Sequence, residues 1–248
     1  MISKNRWINH GIHFPLRAIN ARLERIVLKG TVLFALSDRG ADALRKSFPE
    51  CEVVSSRHFI PPRPAISPAT DRPQAVGLFG HAYKGKGFDR LQSLRCALPD
   101  SIDIRVAGRG TERLAGIPGV TILGSVDGLQ EDEFFASVRA ILLPYANTSR
   151  YGEILSVSGV AARAFAYGTP VIASDSGTLT EAAEEGGLVT APNDVESLAA
   201  LTFETTTSDA ELERLGEETL LLRDSRTVED TVSRFAEYWG KVVSPESA

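Results

Sequence analysis

Short apolar runs alternate with amphipathic segments through the larger part of the chain. The runs are bounded by Gly, Pro and polar residues, as strands are, and they lie at 74–80, 102–107, 120–124, 140–144, 170–174 and 187–190. Apolar residues at helical spacing lie between or after them, at 87–97, 131–138, 159–167, 179–184, 195–207, 209–222 and 227–242. Strands that alternate with helices form βαβ units, so the pattern predicts an α/β fold with a doubly wound parallel sheet.

A smaller α/β pattern comes before this region. Residues 31–36 and 52–55 are predicted strands, and 38–46 is a predicted helix with Ser37 as its N-cap. Residues 16–28 are predicted to form an amphipathic helix. In that segment arginines lie between apolar residues at helical spacing, which are Leu16, Ile19, Leu23, Ile26 and Val27.

Prolines separate the two patterns. Each proline removes an N–H donor and restricts the residue before it, so a dense group excludes a continuous helix or a central strand. Residues 57–73 hold Pro61, Pro62, Pro64, Pro68 and Pro73. We therefore divide the chain into a partial N-terminal α/β segment with its linker at 1–72, an α/β domain at 73–225 and a C-terminal helix at 226–248.

The composition is typical of a soluble globular protein, with 43% hydrophobic and 24% charged residues among 248. No apolar run approaches the roughly 18 residues of a membrane-spanning helix, and the start lacks the apolar core of a signal peptide. Cys51 and Cys96 have no metal-type spacing, so we expect both to be reduced and buried. These features predict a cytoplasmic protein.

Charge is unevenly distributed along the chain. Residues 1–72 carry 12 Lys or Arg and 6 Asp or Glu, whereas residues 73–248 carry 15 and 26. A basic segment of this kind could bind an anionic partner, and the amphipathic residues 16–28 could lie on the inner face of a membrane. The other interpretation, an uneven surface with an ordinary docked helix, is the commoner case. Nothing in the pattern indicates nucleic-acid binding.

The loop after the first strand of the larger domain contains an unusual group of residues. Glycines at Gly80, Gly85 and Gly87 bracket His81 and Lys86 just before a helix. Glycine lets a backbone approach an anion, and lysine supplies a point charge to a phosphate. The order of residues is neither that of a P-loop nor G-x-G-x-x-G, and a solvated glycine turn is the alternative explanation.

Two further loops have features of the same kind. Gly108 and Arg109 follow an apolar strand, although a glycine turn after a strand is common by itself. Ser158 is a suitable N-cap for the helix at 159–167, whose first N–H groups would face a diphosphate placed there. Ligands of doubly wound sheets lie beyond the carboxyl ends of the strands, so the three loops predict one anion site.

These pieces resemble the donor-binding C-terminal domain of glycosyltransferase family 4, whose retaining enzymes have two Rossmann-like domains in the GT-B fold. The order and spacing of the motifs fit over residues 75–202. The matching segments are VGLFGHAYKGKGFDRL, IDIRVAGRG, GVTILGSV, AILLPYANTSRYGE, SVSGVAARAFAYGTPVIASDSGTLTEA and GGLVTAPNDVESLAAL. The segments HGIHFP and VLFALSDRGADAL look like part of the family's first domain, whose earlier strands are missing.

The resemblance implies a set of donor-binding residues. Lys86 matches the family's phosphate-binding lysine, and His81 takes the place of its arginine, which makes it a weaker phosphate ligand because imidazole can be neutral. The full set implied for the donor and its diphosphate is Gly80, His81, Lys86, Gly87, Gly108, Arg109, Ser156, Ser158, Gly159, Arg163 and Glu181.

The chain departs from the family at its paired glutamates, spaced Glu-x7-Glu. The corresponding positions hold Leu155 and Arg163. Glu153 could replace the first glutamate by a local shift, and Glu181 matches the acidic residue after the last donor loop. Arg163 has only donors, so we expect it to face the cleft and bind a phosphate or pair with Glu153 or Glu181.

Three functions are compatible with these residues. The first is a retaining glycosyltransferase that uses a nucleotide sugar, with the leaving diphosphate stabilised by Lys86, His81, Arg109 and the helix start and without a metal or other cofactor. The second is a degenerate, non-catalytic subunit that binds a nucleotide sugar and serves a partner. The third is an epimerase acting on a nucleotide sugar.

The resemblance also implies that the acceptor-binding half is mostly absent from this sequence. His10 or His13 would then be the candidate for the family's first-domain histidine. We expect exposed strand edges to favour a homodimer or a hetero-complex. We also expect the isolated chain to transfer sugar poorly, because the facing domain normally completes the site.

Overall fold

The computed structural model describes residues 6–83, 85–146, 148–149, 152–153, 155 and 157–243. Within these ranges it does not describe the side chains of residues 6–15, 17, 148–149, 152–153 and 241–243. Contacts divide the chain into two compact units, residues 1–56 and residues 57–248.

The first unit contains a short parallel strand pair and two helices. Its elements are α1 (Arg6–Leu28), β1 (Val32–Ala35), α2 (Asp38–Ser47) and β2 (Glu52–Ser55). Strand β1 pairs with β2 in parallel, as a βαβ unit requires. The predicted cap is confirmed, because Ser37 Oγ accepts a hydrogen bond from Gly40 N at 3.0 Å. The predicted elements of this segment are therefore present.

Helix α1 is longer than the sequence predicted. It begins at Arg6 instead of residue 16, and it includes the HGIHFP segment that was expected to form a loop. The helical spacing of apolar residues continues upstream through Ile8 and Ile12, which explains the earlier start. The apolar residues Leu16, Ile19, Leu23, Ile26 and Val27 are exposed on this helix.

The second unit confirms the predicted alternation of strands and helices. Its strands are β3 (Ala75–Phe79), β4 (Asp103–Ala107), β5 (Val120–Gly124), β6 (Ala140–Leu143), β7 (Thr148–Ser149), β8 (Gly152–Glu153), β9 (Val171–Ser174) and β10 (Leu188–Ala191). Its helices are α3 (Leu91–Ala97), α4 (Leu129–Ala136), α5 (Gly159–Ala166), α6 (Thr178–Glu184), α7 (Val195–Thr207), α8 (Asp209–Ser225) and α9 (Val228–Val243). The sequence did not predict the short antiparallel pair β7 and β8.

The main sheet has the order β10-β9-β6-β3-β4-β5 among the described residues, and every pairing in it is parallel. Counted from β3, this is the order 3-2-1-4-5-6 of a Rossmann-like sheet. The chain moves outward from β3 to β5, then returns to the other side of β3 and continues through β6. The carboxyl ends of β3 and β6 therefore form the switch point, where ligands of such sheets bind.

Apolar side chains cover both faces of this sheet. Alternate residues of each strand point to opposite faces, so Val76 and Leu78 pack with α3 and α7, whereas Ala75 packs with α4 and α5. The strands β6 and β9 are buried throughout. Burial on both faces is the usual condition of a parallel sheet and explains the short, uninterrupted apolar runs in the sequence.

The proline-rich residues 57–72 belong to the second unit. Arg57 pairs with Glu181 and Glu185, and Ile60 N donates a hydrogen bond to Arg226 O at 2.8 Å. The contacts thus place the division at 56/57, whereas the sequence pattern grouped these residues with the first segment. Prolines exclude regular elements, but they do not prevent side chains and free backbone groups from packing.

The two cysteines differ from expectation. Cys96 is exposed and Cys51 is half-buried, and both are free thiols. The prediction that both are buried was wrong, because Cys96 lies on α3 beside Arg95, on the side away from the buried residues Leu91 and Leu94.

Arg72 is the central polar residue of the segment that enters the sheet. Its guanidinium is buried and donates hydrogen bonds to the carbonyls of Ser67, Phe135, Val138 and Tyr167 and to the Thr169 hydroxyl, at 2.7 to 3.3 Å. Burial lowers the pKa of Arg72 to about 10, so it remains charged at neutral pH. One side chain thus joins the linker, α4 and the turn after α5.

We predict that Arg72→Ala lowers the free energy of unfolding by about 3 kcal/mol or more, because it leaves several buried carbonyls without donors. Arg214→Ala is the matched control. Arg214 pairs with Glu211 and Glu218 on an exposed helix surface, so its removal should cost at most about 1 kcal/mol. Denaturant unfolding of the two variants measures the difference, and equal costs would contradict the role assigned to Arg72.

Candidate functional site

The loops after β3 and β6 meet at the switch point of the sheet. Ala146 N donates a hydrogen bond to Gly85 O at 3.1 Å. Gly87 lies against Pro144, so closely that a Cβ at position 87 would be 2.0 Å from Pro144 O. The two strand ends therefore carry one continuous loop surface instead of two separate turns.

Two glycines make these approaches possible. Gly87 has φ +75° in addition to its contact with Pro144, and Gly108 has φ +131° with a Cβ position 2.0 Å from Gly80 O. Any other residue would be strained in its backbone and would overlap a neighbouring backbone. The sequence predicted Gly80, Gly87 and Gly108 as site residues, and the structure brings the loops of all three together.

Lys86 is held between the two loops by aromatic rings. Its Nζ lies 3.8 Å from the centroid of the Tyr145 ring and 5.8 Å from that of Tyr83. A cation over the face of an aromatic ring is attracted by the ring's quadrupole. Burial lowers the pKa of Lys86, because removal of water disfavours the charged form. A partly desolvated ammonium is therefore fixed at the switch point.

The N-terminus of α5 lies beside the same surface. A Cβ on Gly80 would be 3.2 Å from Val160 Cγ2, in the first turn of the helix. Ser158 caps the helix as predicted: its Oγ accepts from Ala161 N at 3.2 Å and lies 3.3 Å from Tyr145 OH. We expected free N–H groups from Gly159 to Ala161, but the cap occupies that of Ala161.

Gly159 and Val160 retain N–H groups without a hydrogen-bond partner in the described part of the chain. These groups form the positive end of the α5 dipole, and an anion there would satisfy them. Lys86 and the helix start thus supply positive charge from the loops of two neighbouring strands.

His81 and Arg109 are both exposed in adjoining loops. Their backbones are joined through the hydrogen bond from Ala82 N to Arg109 O at 3.1 Å. The loops after β3 and β4 therefore place the two residues on one side of the site. Their proposed contact with phosphate stays a prediction.

The structure gives Arg163 a partner that the sequence did not indicate. Its guanidinium is 2.6 Å from the Glu131 carboxylate, which is also 3.1 Å from Tyr167 OH and 3.4 Å from Arg63. Glu131 is almost completely buried, so it requires a cation nearby. Among the described side chains the partner of Arg163 is thus Glu131 and not the expected Glu181. The side chain of Glu153 is not described, and the implied contact of Arg163 with the donor stays a prediction.

Glu181 is also paired. It lies in the first turn of α6 and forms an ion pair with Arg57 from the proline-rich segment. Its carboxylate is therefore an anchor for that segment in this structure, and its implied contact with the donor stays a prediction.

Four predicted site residues lie wholly or partly outside the described part of the structure. Ser156 is not described at all. For Glu153, His10 and His13 the backbone is described, in β8 and α1, but the side chains are not. The roles implied for these four residues stay predictions.

Tyr145 and Asn193 are members of the site that the sequence analysis missed. Asn193 Nδ2 donates to Tyr145 O at 3.3 Å, and its Oδ1 accepts from Arg90 at 2.5 Å. The loop after β10 is thereby joined to the loops after β6 and β3. A signal was present, because Tyr145 follows an apolar strand in a sheet whose ligands lie at strand ends.

Among the described residues no group of three or more His, Cys, Asp or Glu could hold a metal ion. The expectation of metal-free donor binding stays a prediction. In the same part of the chain no helix is long and apolar enough to cross a membrane. The alternative that residues 16–28 contact a membrane surface also stays a prediction.

Residues 75–205, more than half of the chain, match the family model of glycosyl transferases group 1. No curated protein sequence matches the chain at a significant level. Similar solved structures share the fold at low identity. Sucrose-phosphate synthase from Thermosynechococcus elongatus has a TM-score of 0.73 and 18% identity, over 91% of this chain and 62% of its own.

Two further structures are relevant to ligands and partners. Anabaena HepE in complex with UDP and glucose has a TM-score of 0.68 and 16% identity, over 90% of this chain and 67% of its own. The GtfA/B complex has a TM-score of 0.63 and 12% identity, over 85% of this chain and 45% of that chain. The chain thus spans between about half and two thirds of these structures.

We predict that Gly87→Ala costs at least about 2 kcal/mol more in unfolding free energy than Gly85→Ala, because overpacking against Pro144 adds to backbone strain. Gly85 has φ +94° but open space around its Cβ position, so it controls for strain alone, at about 1 to 2 kcal/mol. Denaturant unfolding measures both. Equal costs would show that the close approach of the two loops is not needed.

Proposed function

Since the chain belongs to the family of glycosyl transferases group 1, we propose that its second unit binds a nucleotide sugar by the diphosphate at the switch point. The chain would then be the donor-binding part of a glycosyltransferase. The observation that carries this proposal is the pair of positive groups at the ends of β3 and β6, which are the Lys86 ammonium and the first N–H groups of α5.

The charge around this site supports a specific anion site. Residues 73–248 carry 15 basic and 26 acidic residues, so the surface as a whole repels anions. Lys86, Arg109 and the α5 N-terminus lie at the carboxyl ends of the strands, in a unit that is acidic as a whole. Local charge of this kind binds phosphate only where the loops present it, and the diphosphate of a nucleotide sugar carries the matching charge.

The same groups have a direct role in sugar transfer. When the bond between the sugar and the diphosphate breaks, negative charge develops on the leaving phosphate. A fixed ammonium and unpaired N–H groups stabilise that charge without reorganisation and without a metal. We propose that Lys86 and α5 perform this step, with His81 and Arg109 contacting the outer phosphate oxygens.

We propose a uridine nucleotide sugar as the donor class. HepE is described with UDP and glucose, so a uridine nucleotide sugar is the first donor to test. Retention of anomeric configuration, and membership of glycosyltransferase family 4, are proposals that rest on the resemblance of the loops. Glu153 and Glu181 remain candidates for contacts with the sugar, and His10 and His13 for the acceptor side.

A second candidate function is supported by the residues at positions 155 and 163. The Leu155 side chain has no polar group, and the Arg163 guanidinium forms an ion pair with Glu131. Neither side chain supplies the carboxylate that the resemblance implies. A non-catalytic nucleotide-sugar-binding subunit would tolerate this loss. The GtfA/B complex is an assembly of two named components, which makes a hetero-complex a reasonable form for such a subunit.

We predict that a nucleoside diphosphate binds more tightly than its nucleoside and that Lys86→Ala weakens diphosphate binding by about tenfold or more, because a charged hydrogen bond contributes about 1.5 to 3 kcal/mol. Calorimetric titration with UDP and uridine tests both statements. Lys29→Ala is the control, since Lys29 pairs with Glu50 in the first unit. Equal UDP affinity in wild type and Lys86→Ala would remove Lys86 from the site.

The pH dependence has a definite sign. The pKa of Lys86 is lowered by burial, and only the protonated form attracts a diphosphate, so UDP affinity should fall as pH rises through a value below 10.5. The decrease should begin at a lower pH than for an exposed lysine. Burial raises the pKa of Tyr145 to about 12, so this ring stays neutral over that range. Lys86→Ala should lack this decrease, and an identical decrease in the variant would assign it to another group.

We predict that the chain alone, supplied with a panel of nucleotide sugars and lipid or sugar acceptors, binds donor but transfers sugar far more slowly than the usual 1 to 1,000 turnovers per second, because the facing half of the site is needed for alignment. Released nucleotide and glycosylated product are measured together with the mass in solution. We expect a dimer or a hetero-complex. Rapid acceptor glycosylation by a monomer would contradict this prediction and would also exclude the non-catalytic alternative.

A further inference from the structure

We propose that Tyr145 is a positioning residue for Lys86: its ring holds the ammonium at the switch point before the diphosphate arrives. This inference rests on the proposed function and extends it to a residue that the sequence analysis missed. Tyr145 lies directly after Pro144 at the carboxyl end of β6, whereas Lys86 comes from the loop after β3. The contact therefore spans the switch point.

The Lys86 side chain needs support from outside its own loop, because the hydrogen bond from Lys86 N to Tyr83 O at 3.2 Å holds the backbone and not the side chain. It lies between Gly85 and Gly87, which both have positive φ and no side chain to restrict the loop. A lysine stem has four rotatable bonds and loses much conformational freedom when it is fixed by a ligand. The Lys86 Nζ lies 3.8 Å from the centroid of the Tyr145 ring. This contact orders the lysine stem in the free protein and so reduces the conformational entropy that is lost when the ligand binds.

Tyr145 is itself held at two points, and its neighbour Ala146 is held at a third. Its carbonyl accepts from Asn193, and its hydroxyl lies 3.3 Å from Ser158 Oγ, the cap of α5. The next residue, Ala146, donates to Gly85 O at 3.1 Å. The ring is therefore joined to the loop that carries Lys86 and to the helix that supplies the free N–H groups. One side chain thus contacts both the Lys86 ammonium and the cap of α5.

The chemistry of the contact leaves Lys86 able to bind an anion. The ring is a neutral phenol, so it attracts the ammonium without neutralising its charge as a carboxylate would. An ammonium has three N–H donors, and a ring face occupies only one side of it. The opposite possibility is that the ring competes with phosphate for Lys86. The two cases predict changes of opposite sign when the ring is removed.

The test compares Tyr145→Leu, which removes the ring, with Tyr145→Phe, which keeps the ring and removes the hydroxyl. Calorimetry with UDP should show affinity about three- to tenfold weaker for Tyr145→Leu, the range expected from loss of a partly buried cation–π contact. Tyr145→Phe should recover most of that loss. Uridine affinity should change much less than UDP affinity, because the effect acts through the phosphate ligand.

A double-mutant cycle tests whether Tyr145 acts through Lys86. Tyr145→Leu should have little further effect on UDP binding when Lys86 is already Ala, since the residue that it positions is gone. Additive losses would overturn the inference. So would tighter UDP binding by Tyr145→Leu, because that result would show that the ring competes with the ligand.

A second measurement needs no ligand, and its first part needs only the wild-type protein. The Lys86 ε-carbon is bonded to the Nζ that lies over the Tyr145 ring, so its protons should have NMR resonances shifted upfield by the ring current in the wild-type protein. The shift should persist in Tyr145→Phe and disappear in Tyr145→Leu. An unshifted wild-type resonance would overturn the inference directly.

The two proposals fail in different ways. If wild type binds no nucleoside diphosphate, the proposed function fails and the positioning role fails with it. If wild type binds UDP and Lys86→Ala weakens it, but Tyr145→Leu matches wild type for both UDP and uridine, the positioning role alone is wrong. A loss of UDP and uridine affinity to the same extent in Tyr145→Leu would assign Tyr145 a general packing role and would also overturn the inference.

Discussion

The reversal of strand order between β3 and β6 is the constraint on which the rest of the site depends. Parallel strands buried on both faces must be joined by crossover helices, and these place every strand-to-helix loop at one edge of the sheet. At the reversal, neighbouring loops lead to helices on opposite faces and leave a crevice between them. Lys86 enters this crevice from the loop after β3, and the α5 N-terminus faces it after β6. A different strand order would separate these two positive groups.

Close backbone approach converts the crevice into a site with fixed charges. Gly87 against Pro144, and Gly108 against Gly80, bring the loops nearer than side chains would allow. The hydrogen bonds of Asn193 then add the loop after β10 to the same surface. Several loops that the sheet holds together therefore form the site. A change in any one of these contacts should alter the position of Lys86.

The ion pair between Arg163 and Glu131 limits the chemistry that can be assigned to α5. Where the family resemblance implies a glutamate that contacts the nucleotide, this helix carries an arginine that stabilises a buried carboxylate. A buried carboxylate without its cation would be costly, so Arg163 has a structural reason to remain where it is. The proposed function therefore assigns binding and leaving-group stabilisation mainly to Lys86 and the helix start, and position 163 supplies no carboxylate to it.

The sequence by itself determined the order of the helices and of the strands of the main sheet, and their bounds to within a few residues apart from the start of α1. Apolar runs, helical spacing and caps such as Ser37 are local signals. It also indicated the glycine-rich loops and Lys86, because phosphate binding requires those residue types near helix starts. Three facts depended on the tertiary structure: the partner of Arg163, the packing of residues 57–72, and the contact of Tyr145 with Lys86. Each joins residues distant in the chain, and which side chains meet is decided by strand order and packing.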